Sequence, residues 1–249
     1  MEVHHHPDTH HKRKKFKEYL LEFLMIFLAV TLGFFAESLR ESIVNHEKEE
    51  DYIKSMVDDL KADTAESAEK IKTFKLISQK IDTMLMCLKS DNADASIINR
   101  IVSEDFWNYT GFSYNDRTLE QLKNSGNFRL IRNKAIADSI LFYDDIIKAY
   151  VLNQYNDLKL TMMSYKDAEA RVIHYKELKI PSPNLFDPAD FKTNDNSTFI
   201  TKDNELIAVY YNKLFTHAAL IQTFIGTLTW SRNIATRLIN FTETEYKLD

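Results

Sequence analysis

The sequence predicts an all-α protein: one N-terminal transmembrane helix continuous with an elongated, exported, antiparallel helical bundle. Three observations predict it. Residues 19–36, YLLEFLMIFLAVTLGFFA, form an apolar run interrupted by a single charge, Glu22. Downstream, long stretches lack Gly and Pro and repeat apolar residues every three or four positions, the period of one buried helix face. The 249 residues hold only 4 Gly and 4 Pro, whereas sheet proteins usually spend Gly on tight hairpins.

The chain opens on a tail, residues 1–17, that is basic and His-rich. Lys12, Arg13, Lys14, Lys15 and Lys17 outweigh Glu2 and Asp8 there, so the remainder of a chain with net charge −5 is acidic. Residues 18–38 are the expected transmembrane helix. At 1.5 Å per residue the apolar run is roughly 27 Å long, close to a bilayer core of about 30 Å. Its mean hydropathy of about 2.1 lies in the spanning range. The alternatives are a buried soluble helix and a cleaved signal peptide, the latter because Ala36-Glu37-Ser38 loosely resembles a small-x-small cleavage site. The helical pattern continues through that site without a breaker, which favours an uncleaved anchor. Beyond the run, Arg40, Lys48 and Lys54 are diluted by Glu37, Glu41, Glu47, Glu49, Glu50 and Asp51. Basic flanks stay cytoplasmic, so the tail is expected inside and residues 39–249 outside. A second uncharged run, residues 214–231, contains His217 and Gln222 and has a mean hydropathy of only about 1.0, which reads as a buried soluble helix.

Within 39–249, Ile53, Val57, Leu60, Thr64, Ala68, Ile71, Phe74, Ile77, Ile81, Leu85 and Leu88 mark one face of a first long helix that leaves the membrane without a break. A turn at 90–96 leads to a short helix. An aromatic connection follows, with Phe106, Trp107, Tyr109, Phe112 and Tyr114. Asp116 is a candidate N-cap for a helix from Arg117, stopped by Asn124-Ser125-Gly126. Ile136, Ile140, Tyr143, Ile147, Val151, Tyr155, Leu158, Met162, Tyr165 and Val172 define a second long helix within 127–179. Residues 180–203 carry three of the four prolines and form the main loop. A last helix spans about 204–245, its face running from Ile207 and Tyr210 to Leu238 and Phe241.

Composition excludes several chemistries. The glycines at 33, 111, 126 and 226 are too far apart for any Gly-rich phosphate loop. Cys87 is the only cysteine, which rules out an intrachain disulfide and a Cys-based zinc site. An acidic domain is a poor nucleic-acid binder. No cofactor and no catalytic residue are expected. His4, His5, His6, His10 and His11 are weak metal-ligand candidates at chelating spacing, otherwise a solvated tail. His46, His174 and His217 lack the ExxH and HExxH contexts of metal sites. Cys87 reads as a buried thiol. Asp59, Asp63 and Glu66 share a helix face at i, i+4, i+7; that spacing suits acid–base work or a cation, but a solvated acidic face is its usual meaning. The aromatic connection reads as a core plug rather than a ligand pocket.

Glu22 is the sharpest anomaly. A carboxylate inside an apolar span must snorkel, be protonated or face another helix. A line through Glu22, Ala29, Gly33 and Ala36 offers such a face, with Ala29 and Gly33 as a small-xxx-small pair.

The stretch EYLLEFLMIFLAVTLGFFAESLRE after a basic tract, the acidic DYIKSMVDDLKAD, and TLEQLKNSGNFRLIRN before a long helix resemble an uncharacterised family of small single-span membrane proteins of Bacteroidetes-type bacteria. The resemblance covers roughly the N-terminal 60% of the chain. It implies an inner-membrane location with an exported domain, and no activity. The expected function is a membrane-anchored interaction or scaffold protein of the bacterial envelope. Its expected partners are the lipid bilayer, an unknown envelope protein and a second copy through the span. A periplasmic small-molecule sensor and an oligomeric pore subunit are the alternatives.

Overall fold

The computed structural model describes residues 16–90, 95–105, 111–175 and 198–248. These residues are helical and contain no strand; an isolated antiparallel bridge joins Ile173 and Phe199. The elements are α1 (Phe16–Lys89), α2 (Ala95–Asp105), α3 (Arg117–Asn124), a 3₁₀ turn (Asn127–Leu130), α4 (Lys134–Ile146), a π turn (Ile147–Val151), α5 (Leu152–Val172) and α6 (Asn204–Tyr246). The chain divides into two units, Met1–Asp51 and Tyr52–Asp249, with the division inside α1.

In the first unit every side chain from Phe16 to Ile43 is exposed. Among the described residues α1 is the one helix long and apolar enough to cross a membrane, and its most apolar window has a mean hydropathy of 2.1 with none of it buried. Phe23 and Phe27 stack one turn apart, with centroids at 6.1 Å. The Thr31 hydroxyl donates to the Phe27 carbonyl at 2.7 Å, so its polarity is satisfied within the helix.

The second unit is built around the stripe the periodicity marks. Ile53, Val57, Leu60, Phe74, Ile81 and Leu85 are buried and belong to one core with residues of α2 to α6. α5 and α4 both pack on α6. Phe224, fully buried, sits at an aromatic junction: its ring centroid lies 5.2 Å from Phe74, 6.1 Å from Tyr155 and 6.4 Å from Phe112. Residues 214–231 lie in α6, and Leu214, Ala218, Ile221, Phe224 and Leu228 point into this core.

Local chemistry sets the helix ends. The Asp203 side chain accepts from the Glu205 N–H at 2.8 Å and starts α6. Gly126 stands just past α3 at φ 69°, a left-handed conformation that strains residues with a Cβ. The helix expected within 127–179 begins later, at Lys134. The turn at Gly126 and the 3₁₀ segment intervene, and the Asn133 side chain caps Ala135 and Ile136 at 3.1 and 3.3 Å. Asp116 does not cap α3 with its side chain. Phe241 is 37% exposed, and Thr242 takes the buried position beside it. Most of the 180–203 loop, together with Phe106, Trp107 and Tyr109, lies outside the described residues.

The π turn keeps α4 and α5 on one face. The Leu152 N–H reaches back five residues to the Ile147 carbonyl, and the Asn153 side chain donates to the Ala149 carbonyl at 2.8 Å. The widened turn absorbs the drift of a 3.6-residue helix, so Ile140, Tyr143, Ile147, Val151 and Tyr155 all stay buried.

A fragment of residues 45–249 is therefore expected to be mostly helical by circular dichroism and to melt cooperatively. Phe224→Ala should cost it about 3–5 kcal/mol. A non-cooperative melt with dye-binding apolar surface would mean that this core needs another partner.

Candidate functional site

Two features stand out, one in each unit. In the first, Glu22, Ala29, Gly33 and Ala36 are all exposed on α1. At 100° per residue they fall within about 60° of one another. A Cβ added at Gly33 meets nothing within 4 Å, so this face is smooth and open. The tail histidines His4, His5, His6, His10 and His11 lie outside the described residues.

In the second unit the acidic face of α1 departs from the solvated reading. Asp59 and Asp63 are 6% and 4% exposed, and Glu66 is half-buried. Together they form a ladder of acceptors for the connection that precedes α3. Glu66 accepts from the Ser113 N–H at 3.0 Å and its hydroxyl at 2.7 Å. Asp63 Oδ1 accepts from the Asn115 N–H at 3.0 Å and its side-chain amide at 2.8 Å. Asp59 Oδ2 accepts from the Thr118 N–H at 3.2 Å and from its hydroxyl, while Arg117 reaches Oδ1 at 3.4 Å. Thr118 is the second residue of α3, whose N–H has no partner within its own helix. Asp59 thus supplies from α1 the N-cap that Asp116 does not.

The ladder continues into α4. Tyr143 donates to Asp63 Oδ2 at 3.2 Å, and Tyr114 donates to Asp144 Oδ1 at 3.0 Å. Asp144 also accepts from Lys123 at 2.7 Å and Lys148 at 3.2 Å. Lys148 bridges on to Glu120 at 2.9 Å. Burial pushes the Asp63 carboxyl up; hydrogen bonds from Asn115 and Tyr143 oppose this, and the neighbouring Asp59 adds to it. Burial also pushes Asp144 up, but hydrogen bonds from Lys123, Lys148 and Tyr114 outweigh it and leave that carboxyl below its usual value. The two have opposite signs in stability. Asp144 stabilises the fold above the carboxylate range and loses that contribution as pH falls, whereas protonation of Asp63 favours the fold.

Access limits what this network can do. The space among Asp59, Asp63, Tyr114 and Tyr143 is about 10 Å³, at or below what one water occupies. A second cavity, beside Glu169, is about 30 Å³, enough for a water or two. Glu169 is fully buried and accepts from Lys166, Tyr175 and Tyr210 at 2.8, 3.2 and 3.0 Å. Among the described residues no group of three or more His, Cys, Asp or Glu is arranged to hold a metal ion.

The remaining candidates are dispersed. His46 lies 3.5 Å from Glu49 and 3.4 Å from Glu50 on its own helix. His174 holds the chain after α5 through its backbone N–H, which donates to the Thr198 carbonyl at 2.9 Å. His217 is buried in α6. Cys87 is half-buried at the core edge. Of the aromatic connection, Phe112 packs on Phe224 and Tyr114 joins the ladder. Sequence reasoning missed Asp144, Tyr143 as a donor, Asn115, Thr118 and Glu169. A signal was present: donors at 113, 115 and 118 can match acceptors at 66, 63 and 59 in reverse order.

Compared with known proteins, the chain matches no family model, no curated protein and no solved structure.

Asp59→Ala should destabilise the fold by about 2–3 kcal/mol, because it strands the Thr118 N–H and hydroxyl together. Asp58→Ala, on the exposed side of the same turn, should stay within about 0.5 kcal/mol. Chemical denaturation followed by circular dichroism measures both; equal, small effects would return Asp59 to a solvated face.

Proposed function

We propose that this chain is a membrane-anchored helical scaffold of the bacterial envelope, without catalysis of its own, that holds a protein partner outside the inner membrane. The observation that carries the reading is the run of residues 19–36 in α1. Every side chain in it is exposed, which is tolerable for an 18-residue run with one charge only when lipid or another apolar surface covers it. The charge asymmetry across the run supports a cytoplasmic N-terminus and an exported C-terminal unit. In that unit the helices form an antiparallel bundle. Pairs Asn133–Glu245, Tyr150–Trp230, Thr161–His217 and Glu169–Tyr210 support this, because numbers rise along α4 and α5 as they fall along α6. Membership of the family of single-span Bacteroidetes-type proteins is part of the same proposal.

The face of Glu22, Ala29, Gly33 and Ala36 gives the span a means of pairing with a second copy. Lipid tails solvate Leu and Phe as well as a neighbouring helix does, so close backbone approach is what drives association. A sensor would need a cavity of several hundred Å³ for an organic ligand; the spaces beside Asp63 and Glu169 are about 10 and 30 Å³.

The test is affinity capture of the full chain from detergent-solubilised membranes, with a phosphatase and a cytoplasm-only fluorescent reporter fused at the C-terminus to read topology in the same cells. One protein recovered in stoichiometric amount, with phosphatase activity and no fluorescence, is the expected result. Recovery of the chain alone would favour a pore. A co-purified small molecule would favour a sensor, and fluorescence without phosphatase activity would overturn the topology.

A further inference from the structure

We propose that His217 is an acid-operated latch: charging its buried ring releases α6 from α5 at that level while the carboxylate ladder of α1 stays closed. His217 is 6% exposed in the middle of α6. Its Nδ1 lies 2.9 Å from the Thr161 hydroxyl of α5, and its ring packs 4.8 Å from that of Tyr165. Among the described residues Thr161 is its hydrogen-bond partner, and that hydroxyl also lies 3.1 Å from the Asp157 and Leu158 carbonyls. With the Thr161 hydroxyl turned to those carbonyls, Nδ1–H donates to its oxygen and the neutral ring leaves Nε2 as a bare acceptor. An imidazolium carries a second N–H, at Nε2, that needs an acceptor.

Among the described residues nothing accepts at Nε2, so a charged ring that is 6% exposed meets solvent at its edge only. On α5, Asp157 and Asp167 are exposed, and the buried Glu169 already accepts from Lys166, Tyr175 and Tyr210. Lys80 of α1 pairs with Glu104 of α2 at 3.4 Å. Lys213 of α6 donates to the Ser164 carbonyl at 3.3 Å. Burial first, and Lys166 second, push the His217 pKa down to about 4. The sign follows. The neutral ring's contribution is whole above the unfolded value of about 6.5 and is lost as pH falls from there toward the folded value.

Opening at this level has a defined reach. Tyr210, two turns away on α6, is pinned to Glu169, and Glu169 also holds Tyr175, the last described residue before 176–197. Releasing α6 at His217 therefore bears first on the contacts of Tyr210 and Tyr175 with Glu169, beside the Ile173–Phe199 bridge and the Asn99–Thr198 bond at 3.3 Å.

Hydrogen exchange of the full chain in lipid nanodiscs, corrected for intrinsic rates, tests this at pH 7 and pH 4.5. In the wild type, amides around 157–168 and 210–221 should lose at least tenfold protection at the lower pH. His217→Phe and His217→Gln should keep theirs at both. Undiminished wild-type protection at pH 4.5, or an equal loss in the variants, would overturn the latch and assign acid sensitivity to carboxylates. If neither variant folds at pH 7, titration of the wild-type imidazole decides. A ring that charges below pH 5 together with exchange of α6 supports the latch, and one that charges near pH 6.5 without it overturns it.

Discussion

A buried carboxylate must find donors, and α1 buries two in successive turns. Nothing on α1 itself can satisfy Asp59 and Asp63, since a helix uses its N–H groups on its own carbonyls. The donors come from the connection before α3 and from the first turn of that helix, whose backbone N–H groups lack partners within their own elements. Each side completes the other. Asp59, Asp63 and Glu66 exchange water for the N–H groups of Thr118, Asn115 and Ser113, and those groups gain acceptors that an irregular segment would otherwise lack. The consequences spread outward. Phe112 is held where it meets Phe224, Tyr114 is turned toward Asp144, and α3 starts at a fixed place on α1. The π turn then brings Lys148 to Asp144 and Glu120, closing the network at the surface.

Much of this fold was legible in the sequence, because local rules govern long amphipathic helices. The stripe from Ile53 to Leu85, the stop at Gly126 and the start of α6 after Asp203 follow from period, left-handed backbone and capping chemistry. What was not legible is what depends on a distant partner. An i, i+4, i+7 set of acids looks the same whether it meets water or a strand of donors sixty residues away, and only packing decides. Asp116 stands at the cap position of α3, yet Asp59 is the side chain that bonds there. Phe241 gives way to Thr242 because the alternation of three and four that buries Leu228, Ser231, Ala235 and Leu238 reaches Thr242 next. At the span, the smooth face of Ala29, Gly33 and Ala36 is plain in both sequence and structure, and its occupant is a matter for experiment.

The two units divide the physical labour the proposed function needs. One presents apolar side chains outward along a single helix, which suits lipid. The other turns its apolar residues inward and commits its buried charges to one another, with water-sized gaps beside Asp63 and Glu169. The exception is His217, a base with one hydrogen-bond partner, where burial first and Lys166 second make protonation costly.

The central claim is that carboxylates of α1 hold the connection from Ser113 to Thr118. Residue-resolved hydrogen exchange of the full chain at neutral pH measures it directly. The amides of Ser113, Asn115 and Thr118 should exchange on the order of a hundredfold more slowly than those of an open loop, and all three should accelerate together in Asp63→Ala. Exchange of the three at unprotected rates in the wild type, or an unchanged rate for all of them in that variant, would contradict the account.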